Sequence, residues 1–169
     1  MRGYFAIGAE RISKPMNMGN LLRSAHAFGA KFFFTIGAPP RAFEAKSDTS
    51  KAAHHLPLYR WASADEMVLP LSCKLVGIEL IEGATDLPGF RHPPYAAYVL
   101  GPELGVLSDT ILSRCDHVIK IPAAFCINVA MAGAIVMYDR VRSLGSFPDR
   151  METPAPHLKT RTGKVSMDR

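Results

Sequence analysis

The sequence has only three cysteines, Cys73, Cys115 and Cys126, and none of them stands in a Cys-x-x-Cys spacing. An odd number leaves at least one thiol unpaired, which argues against a disulfide framework, and a structural zinc site finds no ligand pattern. The six histidines include no His-x-x-x-His pair that a helix could turn toward one ion, so no metal is expected. Long hydrophobic runs are also missing. Nothing approaches the roughly 20 apolar residues of a membrane-spanning helix, and Met1–Gly8 lacks a basic region followed by a long apolar stretch. No membrane association is expected, and the reading is of a cytoplasmic protein. Neither a Gly-x-Gly-x-x-Gly fingerprint nor a Gly-x-x-x-x-Gly-Lys-Ser/Thr loop occurs, which argues against nucleotide hydrolysis.

What is present is ordinary globular material: 169 residues, 48% hydrophobic and 21% charged, enough for one domain around one core. The expected boundary follows Gly145. Residues 1–145 form the domain, and 146–169, interrupted by Pro148, Pro154 and Pro156 and otherwise polar and basic, read as a flexible tail. The net charge of +5 is unevenly spread: residues 1–60 carry nine Lys/Arg against three acids, residues 61–145 six against nine. Such a basic front suits a polyanion such as RNA, although a solvated basic surface would show the same count.

Short apolar runs at Tyr4–Ala9, Lys31–Ile36, Lys74–Leu80, Ala96–Leu100 and His117–Ile121 alternate with helical stretches. Their near-continuous hydrophobicity predicts strands buried on both faces, an α/β parallel sheet flanked by helices. Helices are predicted over about Met18–Phe28, Ser63–Leu69, Ser108–Ser113 and Asn128–Leu144. In the last, Ala130, Ala132, Gly133 and Ala134 form a smooth patch for a neighbouring helix, while Ile135, Met137, Tyr138 and Val141 are large enough for a core.

Three segments join an expected strand end to an expected helix start, where ligands of open parallel sheets collect. The first, Asn17-Met18-Gly19-Asn20-Leu21-Leu22-Arg23, sets Arg23 one turn beyond Gly19; it could hold a phosphate or ribose, or be a capped helix with one exposed Arg. The second runs from Val99 through Gly101-Pro102-Glu103 to Ser108. Gly101 allows a ligand against the backbone, and Glu103 offers two acceptor oxygens or a helix-terminus charge. The third, Ile119 to Asn128, leads into the small-residue helix; Asn128 is an N-cap by type, and a catalytic role stands beside that reading.

Taken together, Asn-x-Gly-x-x-x-Arg, then Gly-x-Glu, then Ile-Pro followed by Asn and a small-residue helix ending in Tyr138-Asp139 resemble the motifs of the SpoU/TrmH branch of SPOUT RNA methyltransferases, over roughly Tyr4 to Leu144. The resemblance implies an α/β sheet whose C-terminal part forms a deep trefoil knot, a homodimer whose subunits share each active site, and S-adenosyl-L-methionine as methyl donor. It places the cofactor against the neighbourhoods of Ile78, Gly101 and Ile121 to Ile127, Cys126 included. It matches Arg23 to the residue acting on the ribose 2′-hydroxyl, and Asn17, Glu103 and Asn128 to the other polar positions. Two departures stand out: Cys126 replaces the usual Ser two residues before Asn128, and Gly105 comes one position early.

The implied activity is 2′-O-methylation of RNA, tRNA ahead of rRNA. Its demands are mainly alignment, since a sulfonium methyl is already electrophilic. An Arg, with a pKa above ~12, either orients the hydroxyl and phosphate or takes the proton in a perturbed state. A SPOUT enzyme that methylates a base, and a non-catalytic RNA-binding module of the same fold, are the rival readings.

Overall fold

The structure, a computed structural model, describes residues 3–44 and 55–145. The proposed tail, 146–169, lies outside the described residues. Seven parallel strands form one sheet in the order β3-β2-β1-β6-β4-β7-β5. They are β1 (Tyr4–Glu10), β2 (Phe33–Ile36), β3 (Leu58–Trp61), β4 (Lys74–Ile78), β5 (Thr85–Asp86), β6 (Tyr95–Leu100) and β7 (His117–Lys120). The helices are α1 (Pro15–Ala27), α2 (Asp109–Arg114) and α3 (Val129–Ser143).

β1 and β6 lie side by side at the centre, in register from Tyr4 with Tyr95 to Ala9 with Leu100. Both are buried through most of their length, as the continuous apolar runs require. On one face, Ile7, Phe33, Tyr98 and Leu100 pack under α1 and α3; on the other, Phe34, Ala97 and Val99 pack beneath Ile111 of α2 and Met67. β6 enters late, between β1 and β4, so the loop after it emerges in the middle of the sheet's carboxyl edge.

The five expected strands are present, with bounds shifted by a residue or two. The edge strands β3 and β5 were not expected. β3 is half exposed and β5 has two residues, so neither gives a continuous apolar run. α1 begins at Pro15, three residues earlier than the pattern suggests, because Pro preorganises the first helical turn.

The helix expected over Ser63–Leu69 is absent. There the chain makes a turn, Met67 N–H to Ala64 O, and Arg114 donates to the carbonyls of Ala64 and Met67, claiming the groups a helix would use. The small-residue patch of α3 behaves as expected: a Cβ on Gly133 would lie 2.3 Å from Cδ1 of Leu21, so any larger residue would have to push that side chain of α1 aside. The large residues divide differently. Met137 and Val141 are buried, whereas Ile135 and Tyr138 face outward.

Arg140, not an apolar residue, fills the lower core. It is fully buried and donates to the carbonyls of Tyr4, Pro93 and Pro94 and to the Tyr98 hydroxyl. Those bonds fasten α3 to the starts of β1 and β6. Next to it, His92 lies between Tyr98 at 2.6 Å and Asp139 at 2.9 Å. Burial pulls the His92 pKa down against the opposing pull of Asp139, so the ring is neutral: Nε2–H donates to the carboxylate and Nδ1 accepts from Tyr98.

Candidate active site

At the carboxyl ends of β4, β6 and β7, closed on one side by the start of α3, lies a cavity of about 480 Å³. Its walls are apolar where Ile78, Leu100, Ile121 and Val129 line it, and polar where Glu79, Glu103, Lys14 and Lys120 do. Asn17 and Asn128 complete one wall, and Gly101, Cys126 and Ile127 also line it. Of the site residues expected from sequence, eight therefore meet in one place: Asn17, Glu103, Asn128, Ile78, Gly101, Ile121, Cys126 and Ile127.

A directed set of hydrogen bonds holds three loops around this cavity. The Glu103 carboxylate accepts from Ser13 N–H at 3.0 Å, Ser13 Oγ at 3.1 Å, Lys14 N–H at 2.9 Å and Asn17 Nδ2 at 3.2 Å. Asn17 passes the connection on, its Oδ1 accepting from Asn128 Nδ2 at 3.0 Å. Asn128 caps α3, with Oδ1 accepting the N–H of Ala130 at 3.0 Å. Partial burial by itself would raise the Glu103 pKa. The Lys14 and Ser13 N–H groups and the Asn17 amide outweigh it and hold the carboxyl below the usual range. Glu103 is thus an anion that fixes the β1–α1 loop, and because Lys14 is the N-cap of α1 it is also a charge at a helix N-terminus, so both readings hold. Asn128 is both the N-cap and a link in the wall, so its two readings coexist.

Gly101 leaves room for its neighbours: a Cβ there would lie 2.6 Å from Oε2 of Glu79 and 3.2 Å from the Leu107 nitrogen, so a side chain would displace the Glu79 carboxylate. Cys126 is exposed, at the cavity rim.

Arg23 stands apart from these eight. It lies on the exposed side of α1 and does not line the cavity of its own chain. Conversely, Lys14, Glu79 and Lys120 line it without having been singled out in the sequence. Glu79 was within reach of sequence reasoning, since it directly follows the Ile78 that ends β4. Among the described residues, no three His, Cys, Asp or Glu side chains converge as metal ligands, and no helix is long and apolar enough to cross a membrane.

Residues 4–138 match the SpoU rRNA Methylase family. The chain is 27% identical over 146 residues to a 23S rRNA (uridine(2479)-2′-O)-methyltransferase of Streptomyces viridochromogenes, covering 79% of this chain and 50% of that protein. It therefore spans half the length of this relative. Among solved structures, the SpoU methyltransferase AviRb of Streptomyces viridochromogenes in complex with the cofactor AdoMet superimposes with a TM-score of 0.73 at 24% identity, covering 85% of this chain and 59% of that one. A structure described as giving insights into the 2-OH methylation of C/U34 on tRNA superimposes with a TM-score of 0.71 at 22% identity, covering 87% of this chain and all of that one.

Proposed function

Because the chain belongs to the SpoU rRNA methylase family, we propose that it transfers a methyl group from S-adenosyl-L-methionine to a ribose 2′-hydroxyl of RNA. The observation that carries this reading is the Glu103–Asn17–Asn128 linkage, which gathers three loops distant in sequence around one cavity at the sheet's carboxyl edge. The cavity suits the cofactor's chemistry. Its volume falls in the range of small-molecule sites, and a lining that is apolar at Ile78, Leu100, Ile121 and Val129 and charged at Lys14, Glu79, Glu103 and Lys120 suits a ligand that carries both a flat base and a zwitterion.

When bound, the cofactor supplies an electrophilic methyl group. The chain's own contribution is orientation. Gly101 opens the backbone, Ile78, Ile121 and Ile127 shape the apolar wall, and the Asn17–Asn128 pair holds the loop ends so that little reorganisation accompanies binding. Cys126 serves as a rim residue, since methyl transfer to a ribose hydroxyl needs no covalent enzyme intermediate.

The placement of Arg23 supports a homodimer. On α3, Met131, Ile135 and Tyr138 expose apolar surface at helical spacing, and Met16 on the first turn of α1 is 68% exposed. The stripe begins at the cavity end of both helices. A second copy seated there would bring its own Arg23 toward this cavity, where the guanidinium orients the acceptor hydroxyl and its phosphate. The trefoil knot belongs to the same proposal, with the 121–128 segment threaded beside the 101–107 loop.

For the substrate we favour tRNA, with rRNA second. Mass mapping of ribose methylation in total small and large RNA, with and without this protein, tests the assignment. Loss of one 2′-O-methyl nucleotide is expected, and an unchanged map would reject it.

A further inference from the structure

Two carboxylates face the cavity, and their hydrogen bonds set them apart. Glu103 is committed to the protein, since Ser13, Lys14 and Asn17 together present four donors to it. Glu79 accepts only two: Leu80 N–H at 3.0 Å on Oε1 and Leu107 N–H at 2.8 Å on Oε2. An ionised carboxylate has about four acceptor positions, so each oxygen of Glu79 retains one. No ion pair among the described residues involves it.

The geometry around Glu79 fixes where those acceptors lie. Ile78 pairs with Leu100, so Glu79 and Gly101 are the next residues along two adjacent strands, and Oε2 occupies space that a Cβ on Gly101 would need. Two backbone N–H groups from different loops pin the carboxyl plane, so presenting it to a ligand costs little side-chain freedom. A rigid acceptor with one vacancy on each oxygen matches two adjacent hydroxyls. An acidic side chain near a glycine-lined strand end is also how α/β sheets commonly take a ribose.

Resting on the reading of the cavity as an S-adenosylmethionine site, we propose that Glu79 accepts hydrogen bonds from the two ribose hydroxyls of the cofactor and so selects a ribonucleoside donor. Glu79 is then a binding residue and Glu103 a positioning residue, although both are acids in the same cavity.

Calorimetry of the full chain with S-adenosylhomocysteine, 5′-methylthioadenosine and the 2′,3′-dideoxy form of the latter separates the possibilities. In the unaltered protein, removing the hydroxyls should weaken binding by about ten- to a hundredfold, as expected for hydrogen bonds to a charged group. In Glu79→Ala that gap should close, while loss of the bonds from Leu80 and Leu107 lowers affinity for both nucleosides by a common factor that cancels in their ratio. Glu79→Asp, which keeps the charge with a shorter reach, should show an intermediate gap. A gap that persists in Glu79→Ala overturns the proposal, since an equal loss for both nucleosides would make Glu79 a loop clasp only. So does weakening of S-adenosylhomocysteine without 5′-methylthioadenosine, which would place Glu79 against the amino-acid end. Failure of the unaltered protein to bind S-adenosylhomocysteine would instead reject the cofactor reading itself.

Discussion

Asn17 and Asn128, 111 positions apart, share a hydrogen bond of 3.0 Å, and its direction is fixed from both ends. Glu103 can only accept, so the Asn17 amide must turn its Nδ2 that way; the Ala130 N–H can only donate, so Asn128 must offer Oδ1 to the helix. The remaining atoms, Oδ1 of Asn17 and Nδ2 of Asn128, are then a matched pair.

This polarity predicts different outcomes for two substitutions at one position. Asn128→Ala loses the cap and should cost about 1 kcal/mol in denaturant unfolding. Asn128→Asp keeps the cap but sets an acceptor against Asn17 Oδ1, so stability should largely hold while cofactor affinity falls by about tenfold or more. Unfolding curves paired with calorimetry distinguish the two, and equal effects of both variants would contradict the linkage.

Acid should loosen the same wall. The folded-state pKa of Glu103 lies below its unfolded value, so its contribution is complete above the ordinary carboxylate range and is lost as pH falls through the folded value. Glu103→Gln should therefore flatten the acid limb of the stability–pH curve, with its largest difference from the unaltered protein at neutral pH. A constant offset from neutral pH down to strong acid would show that the charge is not what matters.

His92 works in the same direction at higher pH. Its depressed folded pKa means that stability is full above the unfolded value near 6.5 and declines as pH falls toward the folded one. Replacing it with Phe should remove this mid-acid slope. It should also cost on the order of 1–3 kcal/mol, because the Tyr98 hydroxyl and the Asp139 carboxylate lose their partner. Unfolding followed between pH 5 and 8 checks both.

Gly133→Ala should destabilise by about 1–3 kcal/mol, since the new methyl meets Cδ1 of Leu21 in a packed core. Trimming Leu21 to Val in the same chain should restore part of the loss. Strict additivity in the double variant would mean that α1 and α3 do not meet at this point.

Much of the architecture was legible in the chain because two-sided burial writes itself as unbroken apolar runs, as in Phe32-Phe33-Phe34, and because Asn128 and Ser108 are capping residues by type and do cap. The 63–69 turn misled because Ser63, Asp65 and Glu66 have helix-start chemistry, while the Arg114 that captures its carbonyls comes from far along the chain. Arg140 was invisible for the same reason: its acceptors lie far along the chain, and three of the four are main-chain carbonyls, which no side-chain pattern records. Within the site, the polar triad was legible through the motif resemblance, and an exposed Arg23 was one of the readings of its segment; what no spacing records is that Arg23 lies outside the cavity of its own chain.

The most direct measurement is an in vitro reaction with S-adenosylmethionine carrying a ¹³C-labelled methyl group, followed by nuclease digestion and mass analysis of the product nucleosides. The account predicts label on a ribose, as a 2′-O-methyl nucleoside, and its loss in Arg23→Ala with cofactor affinity retained. Label on a base, or undiminished ribose labelling in Arg23→Ala, would contradict it.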